Sequence, residues 1–117
     1  MKIGKTGESI VLELLGSQRA AVMVAADVVG ELRVPDLVVE VRFGASRQQL
    51  VDIAARVTEA ESLVVGVVEL QAVYRLLRSL PDCFGSEEAF HIRTGYFTED
   101  FLTLAKGLMN GISQLPD

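Results

Sequence analysis

The chain is poor in the groups that carry out covalent and acid–base chemistry: its 117 residues include one histidine, one cysteine and no tryptophan. Proton transfer and nucleophilic attack need such groups gathered near a reacting atom. His91 has no second histidine or cysteine pair with which to build a metal site. The single Cys83 has no intramolecular disulfide partner, which suits a reducing compartment. Asp82, Glu87 and Glu88 beside it do not supply the positive surroundings that activate a thiol. Glu13, Glu40 and Glu69 lie in or near strand-like segments and read as solvated carboxylates rather than a hydrolytic pair. Gly4-Lys5-Thr6 lacks the upstream glycine and strand of a phosphate-binding loop and reads as an amino-terminal turn. No catalytic residue, cofactor or metal is expected, and the chain reads as a non-enzyme.

Long apolar runs and clustered cations are missing too. The longest run, Ala20 to Ala26, falls far short of the ~20 residues that span a bilayer. The charged start Met1-Lys2-Ile3-Gly4-Lys5 is not followed by the apolar core of a signal peptide. Membrane association is not expected, and a cytoplasmic location is. Lys and Arg number 11 against 16 Asp and Glu, a net charge of −5. The excess lies in residues 61–117, with four basic against eight acidic residues. Binding to a phosphate backbone needs a basic patch, so nucleic acid is excluded as a partner. An acidic half suits a basic protein partner.

What the chain does contain is packing material. Half of the residues are apolar, above the soluble average once the ten glycines are added. That excess implies a complete core or an apolar face covered in a homodimer. Ser9 to Leu15 is rich in strand formers and ends at a turn, Gly16 to Arg19. Ala20 to Val29 is nearly continuous in apolar character, as in a strand covered on both faces. Leu37 to Phe43 alternates, with Val39, Val41 and Phe43 on one side.

Ser46-Arg47-Gln48-Gln49 is a capping box opening a helix whose apolar stripe is Leu50, Ile53, Ala54 and Val57. Leu63 to Val68 reads as a buried strand. Residues 69–80 admit helix or strand; the spacing of Leu70, Val73, Tyr74 and Leu77 favours helix, closed by Pro81. Ala89 to Thr94 alternates again, with Phe90 and Ile92 inward and His91 outward beside Arg93. Thr98 is placed to cap a final helix striped by Phe101, Leu104, Ala105, Leu108 and Ile112, ending at Pro116.

These elements predict one α+β domain over 1–117, without internal repeats. Its antiparallel sheet has about four to five strands with two or three helices, the long C-terminal amphipathic helix packed on the sheet.

The closing stretch EAFHIRTGYFTEDFLTLAKGLMNGISQLP (88–116) and the opening GESIVLELLG (7–16) resemble the final strand and helix and the first strand of small bacterial toxin-immunity proteins. The resemblance covers about a third of the chain; the middle region departs from it, and no functional residue is carried over. It implies a protein without enzymatic activity that masks a basic toxin or effector by surface complementarity. Small acidic secretion chaperones share this composition. The residues expected to meet the partner are the acids Glu87, Glu88, Glu99 and Asp100, with Tyr96 and Phe97 as aromatic anchors. The alternative is a homodimeric metabolite-sensing module of ferredoxin-like type, built on a strand–helix–strand reading of residues 37–68.

Overall fold

Alanine has the highest helix propensity of any residue, and in the computed structural model the alanine-rich segment after Gly16 is a helix. Residues 1–116 are described. In chain order they form β1 (Lys2–Thr6), β2 (Ser9–Glu13), α1 (Gly16–Glu31), α2 (Asp36–Phe43), α3 (Arg47–Glu59), β3 (Ser62–Val65), α4 (Val67–Ser79), α5 (Glu87–Thr94) and α6 (Thr98–Ser113). A 3-10 turn at Leu80–Cys83 joins α4 to α5.

The class is α+β, but the expected make-up of the sheet and helices is corrected. Among the described residues there are three strands and six α-helices, not four or five strands and two or three helices. Three segments expected to be extended are helical. In 20–29 the buried residues are Ala21, Val22, Ala25, Ala26, Val28 and Val29, a helical period. In α2 the apparent alternation breaks at its middle member: Val39 and Phe43 are buried while Val41 is 72% exposed. In α5, likewise, Phe90 and Thr94 are buried while Ile92 is 75% exposed. Burial at i and i+4 with i+2 in solvent is the mark of a short helix. The strand–helix–strand unit of the ferredoxin-like alternative is therefore not formed. The amino-terminal turn is instead a strand, β1, and α6 packs chiefly on α4, with smaller contacts to β1 at the sheet edge and to α5.

The sheet order is β1-β2-β3, antiparallel throughout. Gly7, with φ 60°, turns the β1–β2 hairpin between Thr6 and Ser9. Ile10, Leu12, Leu63 and Val65 are buried against the helices, while Glu13, Ser62 and Val64 point to the opposite side.

The expectation of no internal repeat also fails. The helices fall into two sets whose ends lie 51 residues apart. N-cap positions pair as Leu15 with Gly66, Pro35 with Ser86 and Ser46 with Phe97, and the left-handed C-caps as Gly44 with Gly95. The same spacing relates buried positions Leu12 and Leu63, Val39 and Phe90, Leu50 and Phe101, Ala54 and Ala105, and Val57 and Leu108.

One half is therefore β2-α1-α2-α3 and the other β3-α4-α5-α6. In the β2–β3 ladder Leu12 stands opposite Leu63, its own counterpart, and Val11 and Glu13 stand opposite Val64 and Ser62. An antiparallel pair in which a residue faces its counterpart has a twofold axis through that pair. The helix contacts obey it: α1 packs on α3 and α5, and α4 packs on α6 and α2.

Candidate protein-binding surfaces

Each half turns a corner from its short helix into its long one. In the second half, Gly95 at φ 80° ends α5, and the Thr94 hydroxyl donates to Phe90 O at 2.8 Å and accepts the Tyr96 N–H at 3.0 Å. The long helix starts from Phe97, whose N–H donates to Asp100 Oδ2 at 2.9 Å. Thr98, expected to be the cap, is instead the first helical residue, and its N–H donates to Glu87 Oε1 at 2.8 Å. Hydrogen bonding to the Thr98 side chain and backbone holds the Glu87 carboxyl below its usual range.

The residues expected to meet a partner therefore gather at this corner, but not on equal terms. Glu87 and Asp100 spend their carboxylates on helix ends. Tyr96 is half-buried against Phe101, with ring centroids 5.5 Å apart. Phe97 is exposed and stacks on His91 at 4.2 Å with the rings nearly parallel. Glu88 and Glu99 are exposed. His91, expected on a strand beside Arg93, is a half-buried helical residue whose Nδ1 lies 3.3 Å from Tyr96 O.

The first-half corner holds the same geometry with different groups. The Ser46 hydroxyl accepts the Gln49 N–H at 3.1 Å and Gln49 Oε1 accepts the Ser46 N–H at 2.8 Å, the capping box read from sequence. Asp36, the counterpart of Glu87, takes the Arg47 Nε at 2.9 Å. The same guanidinium donates to Val29 O at 2.5 Å and Val34 O at 2.6 Å, which ties the end of α1 to the start of α2.

An exposed apolar stripe lies on α2, in a segment whose alternation reads as a strand. Val34, Leu37, Val38 and Val41 are all exposed, Leu37 at 69%. The spacing of Leu37, Val38 and Val41 puts them on one side of α2, and Val34 stands just before its N-cap, Pro35. The matching positions at α5 are Gly85, Glu88, Ala89 and Ile92, so the stripe belongs to one half only.

Two clefts also match across the twofold. One of about 350 Å³ between α3 and α4 is lined by Gln49, Asp52, Ile53, Arg56 and Glu69. The other, about 670 Å³, lies between α6 and α1, where the corresponding residues are Asp100, Thr103, Leu104, Gly107 and Gln18. Arg56 pairs with Glu69 and also donates to Val64 O. Among the described residues no three His, Cys, Asp or Glu side chains stand close enough to hold a metal ion. Burial pushes the Cys83 thiol up, against the opposing pull of Arg42, and Asp82 adds to the rise. A protonated, half-buried thiol is a poor nucleophile.

No family model, curated protein or solved structure matches the chain. Among the described residues no helix is long and apolar enough to cross a membrane.

Proposed function

We propose that the protein is a non-enzymatic protein-binding module that masks or escorts a partner, with the apolar stripe of α2 as its main contact. The observation that carries this reading is the exposure of Leu37, Val38 and Val41 together on one short helix, with Val34 exposed just before it. An apolar stripe rimmed by charge marks an interaction surface, and here Asp36, Glu40 and Arg42 supply the rim. An amphipathic helix face of this kind fits an apolar groove on another protein. A toxin or effector, the class implied by the sequence resemblance, is a partner of the right chemistry. Exposed Glu88 and Glu99 would steer a basic one.

The test is a double variant, Leu37→Asp with Val41→Asp, compared with the parent chain in co-purification from the source cells. Both positions are exposed, so helix content and melting should stay unchanged while the partner is lost. Retention of the same partner by the variant would refute the stripe. Co-purification of a small metabolite that raises the melting temperature, with no protein partner, would refute the reading as a whole. Reversing Glu88 and Glu99 should slow association and reduce its salt dependence, with little change in dissociation.

A further inference from the structure

The twofold relation leaves one strand without a counterpart. β1 lies outside both halves and pairs with the outer edge of β2, Lys2 opposite Glu13 and Gly4 opposite Val11. It also lies over α6: a Cβ added to Gly107 would come within 3.1 Å of Met1, and one added to Gly111 would meet Ile3 at 3.1 Å or closer. Those glycines make the seat for the strand. The matching place is the outer edge of β3, beside α3, and no strand occupies it among the described residues.

The main-chain groups at that place can be read from the ladder. Leu14 N–H donates to Glu61 O at 3.3 Å, so Glu61, Leu63 and Val65 direct their hydrogen bonds toward β2. Ser62 and Val64 then direct theirs outward, as their counterparts Val11 and Glu13 do toward β1. Of these outward groups, Val64 O accepts from Arg56 Nη2. Arg56 is the counterpart of Gly107, part of the seat of β1. A guanidinium thus stands on the second edge where the first has a strand.

We infer that the outer edge of β3 is an acceptor for an extended segment of a partner polypeptide, running antiparallel to β3 and placed as β1 is on β2. Strand addition to an open edge is an established recognition mode in which main-chain bonds give affinity and alternate side chains give selectivity. Here the surroundings define the guest. Its residue at the place of Met1 meets Arg56, at the place of Ile3 meets Ala60, and at the place of Lys5 lies beside Glu61. When a strand N–H takes Val64 O, Nη2 of Arg56 loses its acceptor while Nη1 stays on Glu69. A carboxylate on the guest restores that bond. The favoured segment reads, from its amino end, acid, any, small apolar, any, base. This surface is separate from the α2 stripe and does not depend on it.

The experiment is an NMR titration of the intact protein with the capped peptide Ser-Glu-Thr-Ala-Thr-Lys-Ser, and with its charge-swapped form Ser-Lys-Thr-Ala-Thr-Glu-Ser. The expected result is movement of the Ser62 and Val64 amides with the first peptide and about five- to tenfold weaker binding of the second. Val64→Pro removes only an outward N–H, which an edge strand tolerates, and should abolish binding. Arg56→Ala keeps the edge and should erase the preference at the acidic position. The inference is overturned if neither amide moves, if the two peptides bind equally to the parent chain, or if Val64→Pro binds as the parent does. It is equally overturned if the protein alone dimerises with the Val64 amide protected, since the guest is then a second copy. Leu37→Asp should leave the titration unchanged, so loss of the α2 reading and loss of the strand acceptor are told apart.

Discussion

The α2–α3 corner and the α5–α6 corner are built at matching positions with different chemistry. At the first, Arg47 holds Asp36 and two carbonyls at once. At the second, the acid equivalent to Asp36 is Glu87, and it is met by a backbone N–H, that of Thr98. The second corner is closed instead by apolar contact: Phe90 meets Phe84 and Phe101 edge-on at 5.4 and 5.2 Å. In the first half the same two positions are held by Val39 and Leu50, and the place of Thr94 by Phe43. Side-chain volume has moved between partners while each layer stays filled, as close packing requires.

The sharpest way to break this comparison is at the aromatic layer. Phe90→Ala should cost about 3–5 kcal/mol in urea unfolding, while Val39→Ala, at the matching position, removes fewer buried atoms and should cost less. If the halves share one core, both variants unfold in a single transition. Next comes Arg47→Ala, expected to cost about 1.5–3 kcal/mol because it strips a partly buried carboxylate-linked fork from two carbonyls. Thr98→Ala should cost less than Arg47→Ala, since the hydroxyl's bond to Glu87 is lost while the backbone bond stays. Thr94→Val should cost about 1–2 kcal/mol through the unsatisfied Tyr96 N–H; Phe43 at the matching position has no such role.

The smallest effect is the pH response of the second corner. Because the folded Glu87 carboxyl lies below its ordinary value of 4.5, its contribution is present above that value and fades as pH falls through the lower folded one. The difference between the parent chain and Glu87→Gln should therefore shrink on acidification below about pH 4.

The sequence was most readable where side chain and backbone speak together. Ser46 and Gln49 opened α3 as expected, the stripe from Phe101 to Ile112 lies within α6, and the helix favoured for 69–80 lies within α4 and the turn that follows it. Valine-rich segments misled because β-branched residues favour strands only weakly and tertiary contact decides. Short helices of eight residues show two buried positions each, too few for their period to stand out against alternation. The duplication was hidden for a related reason. The constraint is on layer volume, which Val39 with Phe90 and Leu50 with Phe101 satisfy without identity. Its visible traces are Leu12 with Leu63, Ala21 with Ala72, Val22 with Val73, Arg42 with Arg93, Gly44 with Gly95 and Ala54 with Ala105. The acids of the second corner are visible in the sequence but not their duties: nothing in it says that Glu87 and Asp100 are tied to Thr98 and Phe97 while Glu88 and Glu99 are exposed.

The twofold relation between the halves is tested most directly by cross-strand proton contacts in solution. With Leu12 opposite Leu63 as a hydrogen-bonded pair, the Hα atoms of Val11 and Val64, and of Glu13 and Ser62, must lie in close contact across the ladder. Strong Hα–Hα cross-peaks for both pairs, with slow amide exchange at Leu12 and Leu63 and fast exchange at Val64, are the expected result. Absence of those cross-peaks, or strand-like chemical shifts through Ala20 to Val29, would contradict it.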